Sequence, residues 1–449
     1  MGRSARAILL ALVLAPVVAT AAPPLGITEF QLDNGLRVLV REDHRAPVVV
    51  SQIWYRVGSS YEHRGITGVS HVLEHMMFQG TETHPPGEFS RIISRNGGRE
   101  NAFTGQDYTA YFQQLAADRL EISFEMEADR MHRLRLQPGE FAKERQVVIE
   151  ERRLRIDDNP MRRFGERFNA VAYPASPYGH PVIGWAEDLR ALTLDDLSEW
   201  YAKWYAPANA VLVVAGDVEP DAVRALADKH FGAVPARQPA KPSGMTGLEA
   251  PGERRLQVQE DAQVPYLLMG YEVPSLATAE DRADVYALKV LATVLDGGDG
   301  ARLPERLVRG QQLAASAGAS YGGVERLDSR FMLDATPRDG TDPAALEAAL
   351  LEQVAQVQRE PVSAEELERA RNQLLAEHLY QLDSIFYQAM QIGMLETIGA
   401  GWQELTRFED RVRAVTAEDI QRVAARYLIP ARLTIAHLEP RGAAEEDRS

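Results

Sequence analysis

The sequence contains no cysteine among its 449 residues. Disulfides, thiolate metal sites and a thiol nucleophile are therefore all excluded. The chain also lacks a basic run: its net charge is −16, and its cations are not interleaved with aromatic residues. Because nucleic-acid binding depends on clustered cations that neutralise phosphates, nucleic acid is not an expected partner.

Long apolar stretches are missing after the first 22 residues, so no stable membrane span is predicted. Those 22 residues are different. Arg3 and Arg6 precede an apolar run at residues 7–18, and residues 19–22 are small and suit cleavage. The pattern predicts a secretory signal peptide at residues 1–22 and a protein that is periplasmic or secreted.

The chain is too long for one hydrophobic core and fits two domains of about 200 residues each. A proline-rich connector runs from Val234 to Gly244, which places the boundary near residue 240. We therefore predict an N-terminal domain at residues 23–235, a linker at 236–250 and a C-terminal domain at 251–449.

One short stretch, Gly68–Gly80, carries side chains suited to a metal ion. Positions i and i+4 of a helix lie one turn apart on the same face, so His71 and His75 present their imidazoles together. Glu74 lies beside them, in the order H-x-x-E-H. Thr67 is the expected N-cap of this helix. The alternative is a pair of core histidines, but buried ionisable groups need partners, and a catalytic zinc requires a third protein ligand.

A second helix offers that third ligand. The stretch from Phe141 to Leu154 is amphipathic and places Glu144, Val148 and Glu151 on one face, at i, i+4 and i+7. These glutamates either complete a metal site or form surface ion pairs with the arginines of the same helix. Glu150 points about a hundred degrees away from Glu151 and is the weaker candidate.

These patterns resemble the pitrilysin or insulinase family of zinc peptidases, in the branch of the mitochondrial processing peptidase β subunit and small bacterial members. Besides the two helices, the resemblance rests on four motifs: residues 33–36 (DNGL), 78–81 (FQGT), 101–104 (NAFT) and 179–184 (GHPVIG). It implies an α+β fold of two homologous sheet-plus-helix domains, arranged like a clamshell around the substrate.

The resemblance also implies the site residues. The implied ligands of one Zn²⁺ per chain are His71, His75 and Glu151, and the implied catalytic carboxylates are Glu74, as general base, and Glu144, which supports the site. Asn101, Ala102 and Phe103 are the expected substrate-binding residues, on an edge strand that pairs with an extended peptide. A simple turn cap is the alternative for Asn101.

An internal duplication is implied as well, and the sequence itself supports it. Similar segments recur in the two halves: residues 189–197 and 412–420, 140–151 and 366–377, and 69–77 and 287–295. In the last pair Lys289, Ala292 and Thr293 stand in place of the metal-binding trio of the first copy, His71, Glu74 and His75. We therefore expect no zinc site in the second copy.

The chain departs from the family pattern in its second half. Members with full function commonly carry an arginine and, seven residues later, a tyrosine that contact the substrate, and Val308 and Ala315 occupy those places here. Arg309 matches the position of the arginine only if the alignment is shifted by one residue. The expected assembly is a dimer in which this chain supplies the zinc and a homologous inactive subunit supplies the arginine and tyrosine.

The predicted function is that of an exported zinc metalloendopeptidase that hydrolyses extended peptides or unfolded segments. A non-catalytic assembly or chaperone-like subunit of the same fold is the alternative, although such relatives typically lose the metal-binding trio. Residues 318–322 also match the G-x-S-x-G pattern of serine hydrolases, but a strand-like rather than a helical sequence follows them.

Overall fold

The computed structural model describes residues 26–241 and 252–441. The predicted signal peptide at residues 1–22 lies outside the described residues, and so does most of the predicted linker at 236–250. Within the two described ranges, no helix combines the length and the apolar character that are needed to cross a bilayer.

The first half of the chain forms a six-stranded mixed sheet in the order β1-β2-β6-β3-β5-β4. The strands are β1 (Ile27–Gln31), β2 (Arg37–Glu42), β3 (Val48–Tyr55), β4 (Arg99–Thr104), β5 (Thr109–Ala116) and β6 (Ala210–Gly216). β1 and β2 are antiparallel and form a hairpin around Asp33-Asn34-Gly35, a sequence that favours tight hairpin turns. Among the described strands, β4 forms one edge of the sheet and pairs only with β5.

Eight helices accompany this sheet in the first described range: α1 (Val69–Met76), α2 (Glu88–Arg95), α3 (Leu120–Arg133), α4 (Pro138–Arg152), α5 (Pro160–Ala172), α6 (Ala186–Ala191), α7 (Leu194–Trp204) and α8 (Pro220–His230). Apolar side chains of α1, α3, α4 and α7 form one buried core with one face of the sheet. α4 continues directly into a π-helical segment, Arg153–Asp157.

The second half repeats this plan with a five-stranded sheet in the order β7-β11-β8-β10-β9. Its strands are β7 (Arg254–Glu260), β8 (Tyr266–Val273), β9 (Ala314–Tyr321), β10 (Ser329–Pro337) and β11 (Leu433–Pro440), and its helices are α9 (Arg282–Asp296), α10 (Pro343–Arg359), α11 (Ala364–Gln381), α12 (Ile385–Thr397), α13 (Gln403–Ala414) and α14 (Ala417–Tyr427). The predicted α+β fold of two domains is confirmed. Ser320 lies inside β9, so the G-x-S-x-G match is not a strand-turn-helix elbow.

The ends of the two halves show the duplication most clearly. α7 and α14 each begin with a complete capping box, formed by Thr193 with Asp196 and by Thr416 with Asp419. Each helix is followed by a short 3₁₀ turn that starts at a proline and then by a central strand, β6 or β11. The two capping boxes lie in the repeated segments at residues 189–197 and 412–420.

Each domain packs one of its helices on the sheet of the other domain. Successive side chains of a strand point to opposite faces, so each sheet has a second apolar face besides its own core. α12 of the second half covers that face of the first sheet, where Ala389 and Ile392 pack with Trp54. α5 of the first half covers the second sheet, where Phe164 and Phe168 pack with residues of β7 and β11. This packing holds the domains together.

Candidate metal centre

α1 carries the predicted metal residues, but its N-terminus differs from the prediction. The expected N-cap, Thr67, is wrong: Gly68 is the N-cap, in the left-handed region with φ 90°. The hydroxyl of Thr67 donates instead to Asp188 at 2.5 Å. The buried carboxylate of Glu62 accepts the main-chain N–H groups of Gly68 and Ser70, at 2.7 and 2.9 Å. The cap therefore comes from a tertiary contact, which the local sequence does not reveal.

His71, His75 and Glu151 converge between α1 and α4. Their ligand atoms all lie within 4.8 Å of one another. Nε2 of His71 lies 3.9 Å from one carboxylate oxygen of Glu151, and Nε2 of His75 lies 3.5 Å from the other. Tetrahedral zinc with bonds of about 2.0–2.1 Å needs ligand atoms roughly 3.3 Å apart. The three side chains fit that requirement, and two histidines with one glutamate are a common ligand set of catalytic zinc.

The protonation of the two imidazoles differs. Burial, with a smaller effect of the neighbouring His75, lowers the pKa of His71 to about 4. Burial also acts to lower the pKa of His75, but hydrogen bonds to Glu151 and Glu144 outweigh it and raise that pKa. The hydrogen bond to His75 lowers the pKa of Glu151. A metal needs neutral imidazoles and an ionised carboxylate, so metal binding at a pH below the raised pKa of His75 displaces a proton from that imidazole.

Glu144 fixes the orientation of His75. One oxygen of Glu144 lies 3.0 Å from Nδ1 of His75, and the other accepts a hydrogen bond from Nε2 of Gln79 at 2.8 Å. A carboxylate on Nδ1 holds the proton on that nitrogen and leaves Nε2 directed towards Glu151. The structure thus places the sequence-predicted Glu144 behind an imidazole, outside the cleft, where it acts through His75.

Glu74 is held by a residue that sequence reasoning did not single out. Thr104, the last residue of β4, donates its hydroxyl proton to the Glu74 carboxylate at 2.5 Å. Burial raises the pKa of Glu74, and the hydrogen bond from Thr104 acts in the opposite direction. A raised pKa suits a carboxylate that must both accept and return a proton near neutral pH. Thr104 belongs to the quoted NAFT motif, so the signal was present but unassigned.

The cleft beside these residues has a volume of about 690 Å³. Its lining includes His71, Glu74, His75 and Glu151 together with residues 101–104 of β4. The predicted substrate residues Asn101, Ala102 and Phe103 thus lie on an edge strand within the same cleft. The ring of Phe103 packs on Trp54, with ring centroids 5.3 Å apart. The main chain of β4 is accordingly the part best suited to pair with an extended peptide.

Arg155 is the second residue that the sequence did not reveal. It lies in the π-helical segment one turn after Glu151, lines the cleft, and forms an ion pair with Glu151 at 2.6 Å. π-helical turns often occur at functional sites because they change the direction of side chains. Glu150, the rejected candidate, is half-exposed and pairs with Arg153 at 3.0 Å instead.

One other group of metal-ligating side chains occurs in the described part of the chain. At the surface, the ligand atoms of Glu42, His44 and Glu219 also lie within 4.8 Å of one another. Nδ1 of His44 is bound to Asp217 at 2.7 Å, and 51% of the His44 side chain is exposed. Exposed groups of this kind commonly hold no ion. The buried trio is therefore the stronger candidate.

The corresponding place in the second domain has different chemistry. Lys289 on α9 donates to the carbonyl of Gly322, and burial lowers its pKa. The hydroxyl of Thr293 donates to the main chain of its own helix at 3.1 Å. Glu377 of α11 lines the adjacent cavity of about 490 Å³, together with apolar residues of α12 and α13. The three positions that match the metal trio offer an ammonium, a methyl group and a hydroxyl.

Two imidazoles one turn apart, completed by a glutamate from a distant helix, are the ligand arrangement of a zinc metallopeptidase. Comparison with known families makes the class specific. Residues 37–185 match the family model described as "Insulinase (Peptidase family M16)", and residues 191–374 match "Peptidase M16 inactive domain". These matches span most of the sequence, and the chain belongs to peptidase family M16. The predicted family is confirmed.

Individual relatives agree with this assignment. The chain is 31% identical over 415 residues to "Zinc protease PqqE" of Helicobacter pylori, covering 91% of this chain and 92% of that protein. It is 26% identical over 418 residues to "Uncharacterized zinc protease YmxG" of Bacillus subtilis, covering 93% and 99%. Family M16 relatives of this chain are thus named zinc proteases.

Solved structures share the fold. A protease from Helicobacter pylori superposes with a TM-score of 0.86 at 29% identity and covers 92% of this chain and 99% of its own. The periplasmic protease PqqL from Escherichia coli gives a TM-score of 0.81 at 19% identity and covers 94% of this chain but 48% of its own. This chain covers 93% of a separate structure of the first half of PqqL. The fold of this chain therefore corresponds to one half of that longer protein.

Proposed function

We propose that this chain is an exported zinc metalloendopeptidase that binds one zinc ion and hydrolyses extended peptides or unfolded segments. One observation carries the proposal: His71, His75 and Glu151 converge in a cleft that also holds Glu74 and an edge strand. Zinc protease relatives within family M16 support it. Residues with acid-base chemistry and residues that can bind a main chain thus face the same space.

The roles of the residues follow from their contacts. His71, His75 and Glu151 would hold the zinc ion, which when bound polarises the substrate carbonyl and lowers the pKa of water to about 7. Glu74 takes the proton of the attacking water and delivers it to the leaving amine. Thr104 keeps the Glu74 carboxylate oriented between these two transfers.

The substrate is a peptide in an extended conformation. In the described part of the chain no strand pairs with the outer edge of β4, and residues 101–104 line the cleft. A peptide that adds to this edge as a further strand gains main-chain hydrogen bonds with little dependence on sequence. A folded segment cannot present its backbone in that way, so unfolded segments and peptides are the expected substrates.

A homologous companion subunit completes the proposed enzyme. Val308 packs against the core of the second domain, and Ala315 is exposed near the start of β9. Arg309, the possible substitute, is exposed and donates to the carbonyl of Asp299. The use of this fold as one half of PqqL supports a pairing of two such units. The companion would supply the arginine and tyrosine that are missing here.

A mixing experiment tests the companion. A subunit with Val308→Arg and Ala315→Tyr, inactivated by Glu74→Gln, is added to the wild-type chain. We expect the mixture to cleave an unstructured peptide faster than the wild-type chain alone, because each subunit supplies what the other lacks. Full turnover by the purified wild-type chain alone would refute the need for a companion.

Export is part of the proposal and rests on residues 1–22. We expect the mature protein in the periplasmic or secreted fraction to begin near residue 23, which N-terminal sequencing checks. A full-length chain retained in the cytoplasm would contradict it.

The alternative is a non-catalytic assembly or chaperone-like subunit, and the match of residues 191–374 to "Peptidase M16 inactive domain" is the observation in its favour. The Glu74→Gln variant distinguishes the two functions. A peptidase loses hydrolysis while its zinc content stays at about one per chain, as measured by elemental analysis. A wild-type chain that binds zinc but cleaves no peptide, even with a companion, would favour the alternative.

A further inference from the structure

A turn of the second domain reaches the first domain close to the substrate strand. The turn joins β9 to β10 and contains Arg326. The main-chain N–H of Arg326 donates to the Asp107 carboxylate at 2.9 Å, and that of Leu327 donates to the Tyr178 hydroxyl at 3.0 Å. The Arg326 guanidinium donates to Oγ of Ser60 at 2.9 Å and lies 3.4 Å from Asp107.

Asp107 is the centre of this contact and is almost completely buried. Asp107, Tyr178 and Ser60 are 3%, 1% and 5% exposed. Ser60 donates to Asp107 at 2.8 Å, and the Tyr178 hydroxyl donates to it as well. Burial raises the pKa of Tyr178 well above its ordinary value, so the phenol keeps the proton that it donates. Within the described residues, Arg326 is the cation in ion-pair range of this carboxylate, and a buried carboxylate depends on such a partner.

The turn that carries Asp107 is held on a second side by main-chain contacts. The N–H groups of Ser59 and Ser60 donate to the carbonyls of Gly105 and Gln106, at 3.1 and 2.8 Å. The approach is so close that a Cβ at Gly58 would lie 2.3 Å from the Gly105 carbonyl oxygen. The segment between β4 and β5 is therefore fixed between a 3₁₀ turn of its own domain and the β9–β10 turn of the other.

This fixed turn follows directly after the residue that holds the general base. Thr104 ends β4 and donates to Glu74, and Gly105 begins the turn. Consecutive Cα atoms are 3.8 Å apart and the peptide is planar, so a displaced turn displaces Thr104 with it. Asn101, Ala102 and Phe103 lie immediately before Thr104 on the same strand.

We propose that Arg326 of the second domain is a positioning residue for the substrate strand of the first domain. Its contact with Asp107 holds the β4–β5 turn in place. The turn then keeps Thr104 against Glu74, and it keeps the edge of β4 beside the metal residues. The second domain thus takes part in building the site that lies wholly in the first. The effect on hydrolysis rests on the proposed peptidase function, whereas the effect on the strand does not.

Hydrogen exchange of the zinc-loaded full chain, without substrate, tests the structural part. Arg326→Gln removes the guanidinium contacts but keeps both main-chain hydrogen bonds of the turn, so the fold is retained. The matched control is Arg413→Gln, which removes an exposed ion pair with Glu409 on α13. We expect amides of residues 101–108 to exchange about tenfold faster in the Arg326 variant and unchanged in the control. Unchanged exchange in the Arg326 variant would overturn the proposal.

A double-mutant cycle tests the pairing with Asp107. Arg326→Gln and Asp107→Asn should each lower kcat/KM on an extended peptide by roughly tenfold, at unchanged zinc content. The double variant should lose no more than the worse single variant, because both substitutions remove the same ion pair between Arg326 and Asp107; multiplied losses would refute the coupling. We expect KM to rise and kcat to fall in each variant. Partial unfolding would instead reduce the amount of active enzyme and lower kcat alone. If the wild-type chain cleaves nothing even when the companion subunit is added, the proposed function fails, and the exchange result still decides the structural claim.

Discussion

Replacing Gly393 by alanine tests how the two domains are packed. Gly393 lies in α12 directly on the indole of Trp54 in β3. A Cβ at this position would lie 2.1 Å from Cε2 and 2.2 Å from Nε1 of that ring. Ordinary contact begins at 3.4 Å. Trp54 has no exposed surface and is itself held by Phe103 and Tyr108, with centroids 5.3 and 5.0 Å away. Neither Gly393 nor the Trp54 ring therefore has room to move.

Two effects of opposite sign decide the magnitude. Alanine is a better helix former than glycine by about 1 kcal/mol. An extra methyl group in a close-packed core costs about 1–3 kcal/mol. The missing space at Gly393 is roughly 1.3 Å, and the obstacle is a fixed ring, so the steric cost lies at the upper end. We expect Gly393→Ala to lower the free energy of unfolding by about 2 kcal/mol.

The chain provides a matched control. Gly165 lies in α5, the helix that the first domain places on the second sheet, and a Cβ there meets no atom of the described residues within 4 Å. Gly165→Ala should therefore raise the free energy of unfolding by about 0.5–1 kcal/mol. Urea denaturation followed by tryptophan fluorescence measures both variants. A Gly393→Ala variant as stable as the wild type, or as Gly165→Ala, would refute the proposed packing of α12 on Trp54.

Three further predictions concern the site. Glu144→Gln should weaken zinc binding by about 10–100-fold in a chelator competition assay, and Glu150→Gln, whose side chain pairs with Arg153 instead, should leave it unchanged. Thr104→Val should lower kcat roughly tenfold or more at unchanged zinc content, because a hydrogen bond to a charged group is lost, whereas Thr104→Ser should retain activity. Zinc affinity should fall as the pH falls through the raised pKa of His75, since a proton then competes with the metal, while His71, with a pKa of about 4, stays neutral. A zinc affinity that is constant between pH 8 and pH 5 (roughly the range in which His titrates) would contradict this assignment.

The candidate site could be predicted only in part from the sequence. His71 and His75 followed from one local rule, the spacing of a single helix turn. The face shared by Glu144 and Glu151 was also visible, but periodicity left a surface ion-pair alternative open, and family resemblance was needed to choose Glu151. The structure separates the two carboxylates: Glu151 faces both imidazoles, and Glu144 lies behind His75. That difference depends on how α4 crosses α1, which neither helix encodes alone.

The sequence by itself determined the elements whose geometry involves a few neighbouring residues. These are the hairpin at Asp33-Asn34-Gly35, the metal helix, and the repeated ends of the two halves with their capping boxes. Each follows from backbone dihedrals and hydrogen bonds within about one turn.

Only the tertiary structure decided the contacts between distant segments. Thr104 meets Glu74 across 30 residues, and Arg326 meets Asp107 across 219. The packing of α5 on the second sheet and of α12 on the first belongs to the same group. The physical reason is that such contacts arise when whole sheets and helices pack to bury their apolar faces. The position of each polar side chain then depends on the arrangement of both domains at once.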